Sequence, residues 1–547
     1  MSIIIIGAAI AAAVVAVIVI QNIRYKRAID YRIRHSYGSS ERIDRDAPDR
    51  LENIALLYER EKKLHSECDL VDGITWDDLD MQSVFLRANH TDSYAGEQCL
   101  YSSMHILGRR GDDPVLSSET ADFYDKNEEK RNRVRKVLYS VGKPASAYYS
   151  IEVADDAESR ILPHRFIYPL LLAALIACPL LALILKSPLF MLLGLGIYFT
   201  NLIIHMFLKS SFESKLDTLS AVGTTINAAN SISAVVPELS GGVKESLRKL
   251  KRSSAILNIL NLSRLMVDSG DTVLLLTYLI DPFMLDFIIY DFALSSFAKR
   301  KEEYAKVYRF VGETDCSIAI ASYRRSLSSY CVPEISEGKR MSFKGIYHPL
   351  ISSPVPNDIT QERNIVLTGS NASGKSTFIK SVAINIILAQ SVFTCTAESA
   401  CVPECGVITS MAVRDDLASG ESYYIREIKY LKRMTETVKQ GRLLFLAIDE
   451  ILKGTNTKER IAASKAVLRY FNDADCMLMV ATHDVELAEA FDGIYENYYF
   501  CEQLDDGDIK FDYRLHKGIC RSSNAIKLLS VIGFPKEITD AALAELC

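Results

Sequence analysis

The sequence predicts an α/β domain at the C-terminal end of a largely helical chain, and three observations predict it. The first is Gly369–Thr377, GSNASGKST, preceded by a strand candidate at Ile365–Leu367 and followed by a helical pattern from Lys375 to about Gln390. The second is the alternation of strand and helix patterns from about residue 313 onward. Turn residues lie between them, at Ser352–Asp358 and Glu362–Asn364, which marks a parallel sheet. The third is the six-residue apolar run Leu443–Ile448 ending in Asp449-Glu450, as a buried parallel strand carrying two carboxylates at its C-terminal end does.

The first stretch is G-x-x-x-x-G-K-[ST] in its strand–loop–helix setting. Gly369 and Gly374 let the backbone N–H groups of Ser370, Asn371, Ala372 and Ser373 turn inward around phosphate oxygens. Lys375 reaches the β- and γ-phosphates, the Ser376 hydroxyl ligates Mg²⁺, and Thr377 continues the helix whose N-terminal dipole faces the anion. These residues predict binding of a nucleoside triphosphate. Asp449 then holds Mg²⁺, directly or through water, and Glu450 orients or deprotonates the attacking water. A further apolar strand, Met477–Ala481, ends in Thr482-His483, which puts His483 within reach of the γ-phosphate or the water. Between these elements lies Asp415–Ile428, DDLASGESYYIREI, with Ser422 near the start of a helix. A serine at a helix N-terminus is a phosphate-binding arrangement. It cannot easily reach a loop occupied by its own chain, so it is expected to complete the site of a second subunit.

Of the 547 residues, 49% are hydrophobic and 24% charged, the balance of a globular protein of about three or four domains. The net charge of −6 leaves any nucleic-acid binding to a local basic patch, such as KESLRKLKR at Lys244–Arg252, which otherwise serves as a solvated or lipid-facing surface. Twelve cysteines form no CxxC pair. Cys395, Cys401 and Cys405 lack the second pair or histidine of a zinc site, so buried or free thiols in a reducing compartment are expected.

Three apolar runs predict transmembrane helices. Ile3–Ile20 has no positive charge before it and Arg24, Lys26 and Arg27 after it, which reads as an uncleaved anchor with the remainder cytoplasmic. Phe166–Leu185 and Leu189–Leu208, joined by Lys186-Ser187-Pro188, read as a membrane hairpin whose two ends both face the cytoplasm. The two signals agree in orientation and predict a multi-pass protein in the lipid bilayer. Val273–Ile289, interrupted by Asp281, Pro282 and Asp286, reads as buried helices and a turn.

In order and spacing, GSNASGKST, DDLASGESYY, LAIDEILKGTNTKER and VATHDVELAE resemble the ATPase domain of the MutS family of DNA mismatch-repair proteins, relatives of the dimeric ABC ATPases. The resemblance extends upstream through VGETDCSIAIAS, His348-Pro349 and VPND at Val355–Asp358, and downstream through GFPKEITDAA. It implies an Mg²⁺-dependent ATPase working as a homodimer. By position, Asn371 stands at the γ-phosphate, Ser422 acts in trans with Glu427 following it, and Val355 packs near adenine. Two residues depart from the family's pattern: Leu452 stands where the family usually has glycine, and Asn456 replaces a usual serine.

A fainter resemblance in NHTDSYAGEQCLY, within Asn89–His105, implies an all-α lever region ahead of the ATPase domain. The expected organisation is an anchor at 1–21, a helical region at 22–160, a hairpin at 161–209, a second helical region at 210–330 and the ATPase domain at 331–547. The resemblance makes DNA a partner. Residues 21–68 are too short for the family's mismatch-reading domain, and no Phe-x-Glu wedge appears there. The alternative expectation is an ATP-driven switch that acts on a protein or lipid partner at the membrane.

Overall fold

The structure is a computed structural model that describes residues 23–24, 26–40, 46–65, 68–108, 115–156, 160, 162, 164–267, 280–370, 373–411, 423–505, 508–520 and 533–545. The chain forms two units. The first draws on 1–60, 90–101 and 111–322, the second on 61–89, 102–110 and 323–547.

The described residues of the first unit are helical or in turns. Two of its helices are long and apolar enough to cross a membrane: Ile167–Ile184, mean hydropathy 2.5, and Pro188–Leu208, mean hydropathy 1.8. Among the described residues these are two of the three expected. The third, Ile3–Ile20, lies outside the described residues. Most of their side chains are exposed, with Leu183, Leu189 and Phe207 among the most exposed apolar groups. The second span ends at Leu208, but the helix that carries it continues. That helix runs unbroken from Pro188 to Val235 over 48 residues, about 70 Å at 1.5 Å per residue. The composition turns polar after Leu208, but polarity does not break a backbone, and no proline interrupts the stretch. Polar groups tie this helix to residues 281–286. Asn201 donates to the Pro282 carbonyl at 2.9 Å, and His205 Nε2 lies 2.8 Å from Asp286. The turn Asp281–Phe283 and helix Leu285–Ala298 hold the described part of the expected Val273–Ile289 element, whose residues 273–279 lie outside the described set.

The NHTDSY stretch has a structural explanation. Asp315, on helix Lys301–Ser326, is buried and accepts the N–H groups of Asp92 at 3.0 Å and Ser93 at 2.7 Å. It thereby satisfies backbone donors at the start of helix Tyr94–His105. Burial, with the charge of Asp92 beside it, pushes the Asp315 carboxyl up to about 6 against the hydrogen bonds that favour its ionised form. Arg135, itself buried, pairs with Asp92 at 2.7 Å. The two helices touch through Gly312, where an added Cβ would meet Cys99 Sγ and lie 2.8 Å from the Ala95 carbonyl oxygen. Gly312→Ala is therefore expected to destabilise the chain by about 1–3 kcal/mol through overpacking. A lowered denaturation midpoint at unchanged slope would report it, and an unchanged midpoint would refute the close contact.

The second unit is built on a six-stranded sheet. Its strands are β1 (Ile365–Thr368), β2 (Gly406–Ser410), β3 (Leu444–Asp449), β4 (Cys476–Ala481), β5 (Glu496–Tyr499) and β6 (His516–Lys517), in the order β2-β3-β4-β1-β5-β6. All pairs are parallel except β5 with β6. β1, β2 and β4 are buried along their whole length, and β3 up to Ile448, which is why they read as continuous apolar runs rather than alternating ones. Helix Lys375–Ser391 buries thirteen of its seventeen residues. A second, mixed sheet orders Glu334–Ser336, Ser399–Pro403, Met341–Ile346 and Asn357–Gln361.

Residues 61–89 belong to this unit, whereas the sequence placed all of 22–160 in one helical region. Two carboxylates explain the difference. Asp78 accepts from Thr409 Oγ1 at 2.7 Å and from Met411 N at 2.9 Å, and Asp72 pairs with Arg433 at 2.7 Å. Residues 72–78 thus cover the β2 edge, which would otherwise present unpaired backbone groups.

Candidate functional site

The site lies at the C-terminal ends of β1, β3 and β4. After β1 the chain turns through Gly369, φ 142°, and re-enters a helix through Gly374, φ 108°. Both angles favour glycine. Gly369 also admits no side chain, because a Cβ there would lie 2.5 Å from the Phe500 carbonyl oxygen. Ser373 closes the turn by donating its hydroxyl to the Ser370 carbonyl at 2.8 Å. Lys375 is buried, and its ammonium donates to the carbonyls of Gly369 and Ser370 at 2.6 and 2.7 Å. Its charge is held inside the mouth of the loop.

Ser376, one residue on, hydrogen-bonds Asp449 at the end of β3. Burial raises the Asp449 carboxyl above its ordinary range, and the neighbouring Glu450 adds to this against the Ser376 hydrogen bond and the charges of Lys453 and Lys375. Glu450 behaves oppositely. Burial works against its charge, but hydrogen bonds from His483 and Lys453, and their charges, prevail and hold its carboxyl at about 2. The distances to Glu450 Oε2 are 2.9 Å from Lys453 Nζ and 3.1 Å from His483 Nδ1. Glu450 and Leu452 both adopt left-handed backbone, φ 62° and 57°, which non-glycine residues rarely do. The strain is held by Glu450 N donating to the Ala481 carbonyl at 3.0 Å, and by Glu427, which accepts the N–H groups of Lys453 and Gly454 at 3.0 and 3.1 Å.

These groups border a cavity of about 660 Å³. Ser370, Gly374, Lys375, Ser376, Thr377, Asp449, Glu450 and Val355 line it. Gly369 and Ser373 shape the loop beneath, and His483 reaches the cavity through Glu450. Asn371, Ala372 and Ser422 lie outside the described residues. Sequence reasoning gave no site role to Lys453, Phe500, Tyr513 or His348. Lys453 had a signal, a cation three residues after the acidic pair. Phe500 and Tyr513 had none, since strand pairing alone brings them to the loop. His348 lines the cavity as a neutral imidazole. Burial, aided by the charge of Lys380 and opposed by that of Asp80, pushes it down to about 4, and its Nδ1 accepts from Leu350 N.

The Glu450–His483 pair makes a titration prediction. The hydrogen bond to Glu450, with the charges of Glu450 and Asp484, raises His483 above 6.5 against burial and Arg460. The stability it contributes is present below pH 6.5 and is lost as pH rises through the folded value. Nuclear magnetic resonance of labelled histidines should place the His483 midpoint above 6.5 in the nucleotide-free chain, and Glu450→Gln should lower it. A midpoint insensitive to that substitution would remove the pair.

A parallel-sheet α/β domain, with a glycine-framed lysine loop after one strand and paired carboxylates after another, is the class this fold and site define. Residues 365–546 match the family model of MutS domain V. The chain is 30% identical over 266 residues to the DNA mismatch repair protein MutS of Pseudothermotoga lettingae, covering 46% of this chain and 32% of that protein. It is 33% identical over 224 residues to that of Fusobacterium nucleatum, covering 39% and 25%. To that of Thermus thermophilus it is 28% identical over 251 residues, covering 45% and 30%. The likeness to MutS proteins thus rests on the C-terminal part of the chain. The chain spans about a third or less of the length of these relatives.

Proposed function

We propose that this chain is a membrane-anchored MutS-family ATPase that binds and hydrolyses ATP as a homodimer and acts on mismatched or branched DNA. The observation that supports the reading is the convergence of Lys375, Ser376, Asp449 and Glu450 on one cavity. Lys375 neutralises the β- and γ-phosphates, and the loop's N–H groups between Gly369 and Gly374 cradle them. Val355 lies where the adenine packs. Ser376 and Asp449 would hold Mg²⁺, and the hydrogen bond between these two oxygen groups fits the ion's preference for hard oxygen ligands. When bound, the ion would neutralise charge on the transferring phosphoryl group. Glu450 orients the attacking water, with His483 behind it. Ser422 reaches the partner subunit's nucleotide, as the resemblance implies. The ATPase domain faces the cytoplasm.

The exposed apolar helices Ile167–Ile184 and Pro188–Leu208 favour a second reading, a switch acting on a protein or lipid partner at the membrane. The readings separate by measuring hydrolysis by the full chain with duplex, mismatched and branched DNA, and with lipid vesicles alone. Stimulation by DNA that falls steeply with salt supports the first. Stimulation by vesicles alone, with none by any DNA, overturns it.

A further inference from the structure

A second cluster of ligating side chains lies beside the cavity. The Sγ of Cys501, a carboxylate oxygen of Asp512 and a ring nitrogen of His516 all lie within 4.8 Å of one another. They come from the two ends of one excursion. Strands Glu502–Asp505 and Asp508–Phe511 form an antiparallel hairpin, with Cys501 entering it and Asp512 leaving it. β5 and β6 close beneath, with Tyr499 opposite His516.

The cluster is pre-oriented. His516 Nε2 lies 3.0 Å from Asp512 Oδ2, and the other Asp512 oxygen accepts from Arg514 N at 3.0 Å. The imidazole stacks on Tyr499 with ring centres 5.3 Å apart. All three side chains are partly buried, so a ligand atom is accessible yet positioned. One thiolate, one imidazole and one carboxylate are the donor types that zinc takes in tetrahedral sites, at bonds of about 2.0–2.3 Å. The spacing needs to contract by only about 1 Å to reach that geometry. Three protein ligands leave the fourth position to water.

We propose that Cys501, Asp512 and His516 form a binding site for a divalent transition ion, zinc by its donor set, that clips the base of this hairpin at the wall of the cavity. The location gives the clip a consequence. Between Asp512 and His516 stands Tyr513, which lines the cavity and lies 3.3 Å from where a Cβ of Gly374 would be. Asn357 already holds this segment, donating to the Tyr513 carbonyl at 3.0 Å and accepting from Leu515 N at 2.7 Å. An ion bound on both sides of Tyr513 fixes the part of the cavity wall that Tyr513 lines. Binding takes a proton from the Cys501 thiol and uses neutral imidazole, so affinity falls as pH falls.

The test uses the chelator-stripped full chain in detergent. One equivalent of Co²⁺ should produce a thiolate-to-cobalt charge-transfer band. Cys501→Ser should abolish the band, and His516→Ala should weaken binding at least about tenfold, as loss of an ordering ligand does. Zn²⁺ should also slow alkylation of Cys501 in the unsubstituted chain about tenfold or more, read by peptide mass spectrometry, with Kd in the micromolar range or below. That measurement needs no variant to fold. A cobalt band that survives Cys501→Ser, or a Cys501 alkylation rate indifferent to Zn²⁺, overturns the site.

Discussion

Lys375→Ala should reduce ATP affinity by about 3 kcal/mol or more, roughly 150-fold, from the loss of two charge-assisted hydrogen bonds. The ammonium is buried and points into the loop, where it meets the carbonyls of Gly369 and Ser370. Those same contacts show that it holds the loop's shape as well as its charge. Lys375→Arg should therefore rescue poorly, because a planar fork does not occupy the place of a compact ammonium. Calorimetric titration with a slowly hydrolysed ATP analogue reads the effect. An affinity within twofold of the parent would remove Lys375 from the site.

Glu450→Gln should lower the hydrolysis rate by about 10²–10⁴, the usual contribution of a positioned proton acceptor, while ATP affinity changes only a few-fold. The carboxylate is held at about 2, so it is ionised throughout the working range but weakly basic. Such a group acts chiefly by accepting a hydrogen bond from water and fixing its direction. The amide keeps the shape and loses the charge, which also leaves Lys453 and His483 without their common partner. Single-turnover measurement separates the two effects. Hydrolysis at the parental rate would withdraw the role from Glu450.

The glycine-framed lysine loop and the carboxylate pair were legible because their pattern is written in consecutive residues. A lysine between two small hydroxylic or glycine residues, and acids closing an apolar run, need no tertiary information to be noticed. His483 was legible as a residue but not as a clamp that shares one Glu450 oxygen with Lys453, since β3 and β4 had first to lie side by side. Tyr513 was invisible for a similar reason: its place depends on β6 returning antiparallel to β5. Near residue 209 hydropathy changes while helix propensity does not, so the sequence marks the end of the apolar span but not the continuation of its helix to Val235. The placement of 61–89 depended on two aspartates finding the edge strand from more than three hundred residues away in sequence, a separation no local pattern encodes.

Leu452 carries a consequence for timing. A glycine at this position passes between left- and right-handed backbone at little cost. Leucine held at φ 57° is strained by about 1–2 kcal/mol, and it stays there because its side chain is buried in the core behind β3. Burial of a leucine contributes about 1.5–3 kcal/mol, enough to offset the strain. The peptide after the carboxylate pair therefore behaves as a latch rather than a free hinge. Any rearrangement that reverses this residue's handedness must first draw a side chain out of the core, which sets a floor under how quickly this turn can change state.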